Sequence, residues 1–269
     1  MKTLLISFSG GRTSAYMAYQ ILSGSLKEQY AQKYNKIIPV FLNTSAEHAD
    51  TYRFVDDCVR FWGWENFICL QVKTNIDRKA NTYEITTIQD CAKNGELFLQ
   101  VGEQYRDFSF LRSCTRELKQ RVFNKFVADN FKNETVDRAI GIRADEPKRY
   151  REKQGFIYPL VTDMPTEKEE VIAFFKGFDF DLKIPEYLGN CVYCFCKSDN
   201  KLYKAVQDTE HSPLFKQWAK MDAINPLPSY RKYRKFKDLV SIAQSLPRID
   251  DLFAEKRLTG GCSESCEPI

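Results

Sequence analysis

Near the start of the chain, Ser9-Gly10-Gly11-Arg12-Thr13-Ser14 sets two glycines among hydroxyl side chains and one cation, directly after the apolar run Leu4-Leu5-Ile6-Ser7-Phe8. Paired glycines open turn dihedrals closed to other residues, so successive N–H groups turn inward, and a helix that follows adds its partial positive charge. That chemistry is anion binding, with phosphate as the expected guest. Ser9, Gly10, Gly11 and Ser14 are the expected donors, with Arg12 a cation at the rim and Thr13 beside it. The spacing has neither the Gly-x4-Gly-Lys of a Walker loop nor the third glycine of a dinucleotide fingerprint.

Two other groups carry chemistry. Gly141-Ile142-Arg143 leaves an apolar run into Asp145-Glu146 and Lys148-Arg149-Tyr150-Arg151. Arg143 offers a planar fork for phosphate or sulfate, and Asp145 or Glu146 suits Mg2+ or the orientation of Arg143. The nine cysteines include Cys191-x-x-Cys194, Cys196, Cys262-x3-Cys266 and Cys114, the last at a predicted helix start where the positive end favours a thiolate. Three or four convergent thiolates hold an iron-sulfur cluster or, as two short pairs, structural zinc. The set drawn on is Cys114, Cys191 and Cys194 with one of Cys196, Cys262 or Cys266. Cys58 and Cys69 read as core.

Ser-Gly-Gly-x-x-Ser resembles the pyrophosphate-binding loop (PP-loop) of the adenine nucleotide alpha hydrolases. Leu42-Asn43-Thr44-Ser45-Ala46-Glu47, running on to Thr51 and Phe54-Val55, resembles the Asn-Thr-Gly-x-Glu segment of the phosphoadenosine phosphosulfate (PAPS) reductase family. Cys114-Thr115-Arg116-Glu117-Leu118-Lys119 is similar to its Cys-Thr-x-x-Leu-Lys element, residues 141–149 to its Gly-x-Arg-x-x-Glu-x-x-Arg element, and Tyr158-Pro159-Leu160 to its Tyr-Pro-Leu. These occur in family order over roughly residues 1–200, nearest to the phage and prophage branch.

The resemblance implies a PP-loop enzyme that binds ATP, PAPS or adenylyl sulfate with Mg2+, through residues 9–14, Asn43, Glu47, Gly141, Arg143, Asp145, Glu146 and Arg149, Asn43 and Glu47 meeting ribose or base. Cys114, Arg143 and His48 are its catalytic candidates. The implied reaction is ATP-dependent adenylyl activation followed by thiolation, or alternatively reduction of PAPS or adenylyl sulfate to sulfite. The implied partners are an RNA or DNA acceptor and a thiol or electron-donor protein. Two departures stand out. Thr13 occupies a position where many ATP pyrophosphatases of the superfamily carry Asp, and a C-terminal Glu-Cys-Gly is replaced by Gly260-Gly261-Cys262-Ser263-Glu264-Ser265-Cys266. A non-catalytic nucleotide- or nucleic-acid-binding protein with structural zinc is the rival from another class. For it, Tyr230-Arg231-Lys232-Tyr233-Arg234-Lys235-Phe236-Lys237 supplies rings for stacking and cations for phosphates.

Elements that position these residues follow from apolar periodicity. Strands are expected at Leu4–Phe8, Lys36–Leu42, Phe67–Val72 and Val136–Ile142, and helices at Ala15–Leu22, Thr51–Phe61, Thr115–Phe131 and onward from Thr166. Alternation of this kind implies an α/β fold with a doubly wound parallel sheet and a ligand site outside the strands' carboxyl ends. Residues 1–184 form the expected nucleotide-binding domain. Within it, residues 73–113 are an insertion that caps the cleft, and residues 185–269 are a small cysteine-containing helical subdomain.

Composition narrows the class. The 269 residues are 43% hydrophobic with a formal charge of +4, too small to announce a nucleic-acid binder. No stretch approaches the roughly 18 apolar residues of a membrane span. The few apolar residues before Ser9 are too short for a signal-peptide core. A cytoplasmic protein with reduced thiols is expected, because an odd cysteine count without an export signal argues against a disulfide framework.

Overall fold

The computed structural model describes residues 1–75, 81–104, 114–224, 230 and 234–248. In chain order the elements are β1 (Lys2–Phe8), α1 (Arg12–Leu22), α2 (Lys27–Lys33), β2 (Lys36–Leu42), α3 (Ala49–Phe61), β3 (Ile68–Lys73), β4 (Thr82–Thr86) and α4 (Glu96–Gln104). A π-helical segment, Thr115–Gln120, runs into α5 (Arg121–Asn130), followed by β5 (Thr135–Ala139), β6 (Phe156–Ile157), α6 (Pro159–Thr162) and α7 (Lys168–Phe175). A 3-10 turn at Glu186–Leu188 leads to α8 (Asp199–Thr209), α9 (Pro213–Ile224) and α10 (Phe236–Ser245).

The six strands form one sheet in the order β4-β3-β2-β1-β5-β6. All pairs are parallel except β3 with β4. From β1 the chain moves outward through β2 and β3 on one side, then returns to add β5 and β6 on the other. The strand order therefore reverses between β1 and β5, where the loops leaving the two strands diverge and open a crevice.

Alternation along the strands feeds two cores. Leu4, Ile6 and Phe8 of β1 join Ala15, Met17 and Ile21 of α1, Phe54 and Cys58 of α3, and Phe175 of α7. Leu5, Val40, Leu70 and Val72 point the other way, onto Phe98 of α4, Leu118, Phe123 and Phe126 of the π/α5 unit, and Trp218 and Leu239 of the C-terminal helices. Successive strand side chains leave opposite faces, so each face is covered by its own helical layer. The helices beyond Pro185 share this second core with the sheet.

Several expectations change in detail. The segment from Lys73, expected as an irregular insertion, adds the antiparallel edge strand β4 and the helix α4. The helix expected over Thr115–Phe131, with Ser113 or Thr115 as its N-cap, begins as a π turn at Thr115 with Cys114 in the N-cap position and no side-chain capping bond; Ser113 lies outside the described residues. The strand expected to reach Ile142 ends at Ala139, which frees Gly141 to Arg143 as a loop. Helix α7 opens with the acidic first turn expected of it, and Glu167 and Glu170 close a capping box.

Candidate functional site

At the sheet's reversal point, the loops after β1 and β5 meet. Gly10 adopts φ +78°, a left-handed conformation that favours glycine, and a Cβ there would lie 2.7 Å from Thr51 Cγ2. The loop is closed internally. Ser14 Oγ accepts from Ser9 N at 3.0 Å, lies 2.9 Å from Ser9 Oγ, and donates to Gly11 O at 2.9 Å. Gly141 passes so close to α1 that a Cβ would meet Ser14 Cα at 3.1 Å. Backbone proximity of this order is what brings Arg143 over the loop.

Arg143 donates from Nη1 to Thr13 Oγ1 at 3.0 Å and pairs through Nε and Nη2 with Asp145 at 2.7 and 3.0 Å. Burial alone would weaken its charge, but Asp145 and Glu146 more than compensate and raise its pKa. Asp145 is correspondingly held below the usual carboxylate range, chiefly by its bond to Arg143. Arg149 pairs with the other oxygen of Glu146 at 2.5 Å. The resulting cleft, about 400 Å³, is lined by Ser9 to Ser14, Thr51, Lys119, Gly141, Arg143, Glu146, Arg149, Lys168, Gly189 and Asn190.

Other expected residues lie elsewhere or are otherwise engaged. Arg12, expected as a rim cation, is gripped by Asp181 at 2.6 and 2.9 Å and donates to Leu182 O, so its charge fastens the 181–182 segment to the loop. Asn43 does not line this cleft. Its amide donates to Gln71 and Ala92 O, and its carbonyl oxygen accepts from Ser45 N and Tyr52. Asp145 also falls outside the cleft lining and orients Arg143 from the side.

Glu47 and His48 line a different cavity, of about 490 Å³, together with Tyr52, Arg53, Lys93 and Leu214. Glu47 is buried and accepts from Thr44 Oγ1 at 2.6 Å and Tyr52 Oη at 3.0 Å. His48, a candidate for catalysis, caps α3: its Nδ1 accepts from Asp50 N at 3.1 Å, and burial lowers its pKa. These two residues therefore line a cavity other than the cleft at the glycine turn.

Cys114, Cys191 and Cys194 line one small apolar pocket with Phe98, Tyr193, Trp218 and Lys119. Cys191 Sγ lies 3.3 Å from Thr44 Oγ1 and 4.0 Å from Glu47 Oε1, with the thiol oriented to donate to that carboxylate. Among the described residues no three His, Cys, Asp or Glu side chains are placed to hold one metal ion, so the described thiols do not by themselves form the ligand set of a cluster or zinc site. Cys196 is half-buried beside this core, and Cys262 and Cys266 lie outside the described residues. The carboxylates lining the cleft at the glycine turn, Glu146 and Glu186, are each ion-paired, which leaves few oxygen donors there for Mg2+.

Sequence reasoning missed Lys119, Lys168 and Thr51 as cleft residues. Lys119 lines both the cleft and the thiol pocket. Its signal was the Leu118-Lys119 step, in which Leu118 is buried in the core and its neighbour must emerge on another side. In the basic stretch, Tyr230 and Phe236 are interior, 2% and 1% exposed, and pack on each other, so these two rings serve the core and not a nucleic-acid surface. Cys58 and Cys69 are buried, as expected of core residues.

A mostly parallel six-stranded sheet with helices on both faces, and a cation-rimmed cleft at its reversal point, define an α/β protein. No family model matches the chain. It is 35% identical over 283 aligned positions to the protein described as "Uncharacterized nin region protein ORF290" of Escherichia phage lambda, an alignment spanning 98% of this chain and 94% of the relative. The chain belongs to the family of that phage protein. Among the described residues no helix is long and apolar enough to cross a membrane.

Proposed function

We propose that the chain binds an adenine nucleotide with its phosphates at Ser9–Ser14 and Arg143, and couples it to sulfur chemistry at Cys114, Cys191 and Cys194. The observation that carries this reading is Lys119, whose side chain lines both the anion cleft and the neighbouring thiol pocket. A cation there serves two charges, a phosphate on one side and a thiolate on the other.

In the activation path, an acceptor oxygen attacks the α-phosphorus of ATP and pyrophosphate leaves against the N–H groups of the glycine turn. A sulfur nucleophile then attacks the acceptor carbon and releases AMP. Fixed donors aimed at the developing negative charge supply the electrostatic part of such catalysis without reorganisation. Arg143 is already held by Asp145 through Nε and Nη2, so its Nη1 meets the phosphate without first being ordered. RNA, DNA or another hydroxyl- or carbonyl-bearing acceptor fits this scheme.

One observation favours reduction of an adenylated sulfate instead. Thr13 Oγ1 accepts from Arg143 where a carboxylate would bind metal, so the loop is poorly furnished for Mg2+-pyrophosphate departure. In this path a thiolate attacks the sulfate sulfur, the nucleotide leaves through its phosphate oxygen, and a second thiol resolves the S-sulfonate to sulfite and a disulfide.

Anaerobic binding and turnover with ATP, adenylyl sulfate and PAPS, assayed for pyrophosphate, AMP and sulfite, tests both paths. Pyrophosphate from ATP in the presence of an acceptor supports activation, and sulfite without ATP cleavage supports reduction. No binding of any of the three removes the nucleotide reading.

A further inference from the structure

Cys191-Val192-Tyr193-Cys194 is a tight turn. Cys194 N donates to Cys191 O at 3.1 Å. A bond from residue i+3 back to residue i holds the two Cα atoms within about 7 Å, the limit inside which two cysteines can be bridged. Both cysteine side chains open into one pocket, whereas Val192 between them lines the cavity of Glu47 and His48. The turn is pinned from several sides. Val192 N donates to Ala46 O at 2.8 Å, Val192 O accepts from the buried Lys197 Nζ at 2.9 Å, and Tyr193 O accepts from Tyr230 Oη at 2.7 Å. The two thiols are therefore held together before any bond joins them.

The surroundings select the chemistry. The pocket's open volume is about 10 Å³, roughly that of one water, so a substrate does not reach Cys191 and Cys194 directly. Both are buried, while Cys114, on the same pocket, is half-buried. Lys119, which borders this pocket and the anion cleft, supplies the positive charge that favours a thiolate. Among the described residues no third ligand joins the pair to hold a metal ion. Resting on the sulfur part of the reading above, we infer that Cys191 and Cys194 are a dithiol–disulfide redox pair, and that Cys114 is the thiol through which the pair exchanges with an outside sulfur compound.

The exchange balances in two steps. Cys114 first carries a group X on its sulfur, X being a thiol's sulfur or a sulfite. The Cys191 thiolate attacks Cys114 Sγ, the Cys114–Cys191 bond forms, and X leaves with the electron pair and the proton that Cys191 gave up. Cys194 then attacks Cys191 Sγ, the Cys191–Cys194 bond forms, and Cys114 leaves as a thiolate that takes up the proton of Cys194. Two thiols are oxidised to one disulfide, the Cys114–X bond is reduced, and an external dithiol restores the pair.

Oxidised glutathione is the probe. The purified full-length chain is assayed for iron and zinc, equilibrated anaerobically with reduced and oxidised glutathione in set ratios, quenched with an alkylating agent and mapped for disulfides by peptide mass spectrometry. Wild type is expected to acquire the Cys191–Cys194 disulfide. Cys114→Ser is expected to acquire it about 10-fold more slowly, and Cys194→Ser to stop at a Cys114–Cys191 or glutathione-bound species. The wild-type map decides the pairing without any variant.

Cys191 and Cys194 still present as free thiols in excess oxidised glutathione overturn the inference. So does a disulfide from either to Cys262 or Cys266, or a bound iron or zinc that must be removed before either thiol reacts. An unchanged rate in Cys114→Ser overturns the part given to Cys114. None of these readouts involves a nucleotide, so their failure leaves the nucleotide reading standing, and failure of ATP, adenylyl sulfate and PAPS to bind leaves the redox pair standing.

Discussion

Arg143 Nη1 lies 3.0 Å from Thr13 Oγ1, a hydrogen bond across 130 positions of sequence that fastens the loop after β5 to the loop after β1. It spans the point where the strand order reverses and sets Arg143 Nη1 against the loop after β1. The two ends of Arg143 have different jobs: Nε and Nη2 are held by Asp145, and Nη1 faces the loop.

Arg143→Lys is expected to weaken nucleotide binding about 10-fold and Arg143→Ala about 100-fold, since lysine keeps the charge but loses the fork. Titration with ATP and PAPS at two ionic strengths checks this, the alanine variant showing the weaker salt dependence. Equal affinity for all three proteins would remove Arg143 from the site.

Gly10→Ala is expected to abolish detectable nucleotide binding and to lower stability by about 1–3 kcal/mol. The left-handed φ of +78° strains a non-glycine residue, and the new Cβ lies 2.7 Å from Thr51 Cγ2. Denaturant unfolding and calorimetry measure the two effects separately.

His48 provides a pH signature. Its pKa is lowered because burial disfavours the imidazolium, so the unfolded chain takes up the proton more readily than the native one. Its contribution is therefore complete above the unfolded value of about 6.5 and is lost as pH falls from there towards the lower native pKa. Protonation at Nδ1 also removes the acceptor of Asp50 N. His48→Asn, which keeps a capping acceptor and does not titrate, is expected to flatten the melting temperature between pH 7 and 5 relative to wild type. An unchanged profile would show that the cap does not govern acid stability.

Cys114→Ser and Cys191→Ser are expected to reduce turnover by about 100-fold or more, whichever of the two reactions applies, while nucleotide affinity stays within about twofold of wild type. Lys119→Met is expected to impair both, because its side chain is common to the cleft and the thiol pocket. Single-turnover assays beside equilibrium titration separate the two readouts. Full turnover in both serine variants would disconnect the thiols from the reaction.

The glycine turn after β1 was legible because it is local: a strand, a glycine with left-handed φ and a helix start lie within a dozen residues. The strands and most helices followed from periodicity for the same reason. Asn43 and Glu47 fall outside the lining of the cleft, because position after a strand does not fix direction. Ser45 takes φ +62°, and Gly95 N bonds to Ser45 O at 2.6 Å, so the segment turns towards the 92–97 stretch and away from the cleft. Arg12 lines the cleft as expected, but its pairing with Asp181, 169 positions distant, was not legible, because a sequence does not show which carboxylate reaches a cation.

The sequence by itself determined the α/β alternation, the glycine turn after β1, the arginine loop after β5 and the buried character of Cys58 and Cys69, because each depends on residues close together in the chain or on burial periodicity. Tertiary structure alone decided that Arg143 would lie on Thr13, that Cys114 and the Cys191 pair would share a pocket, and that Lys119 would border both that pocket and the cleft. Those outcomes depend on strand order and helix register. These are set by the packing of whole faces, and a single residue's neighbours in sequence do not encode them.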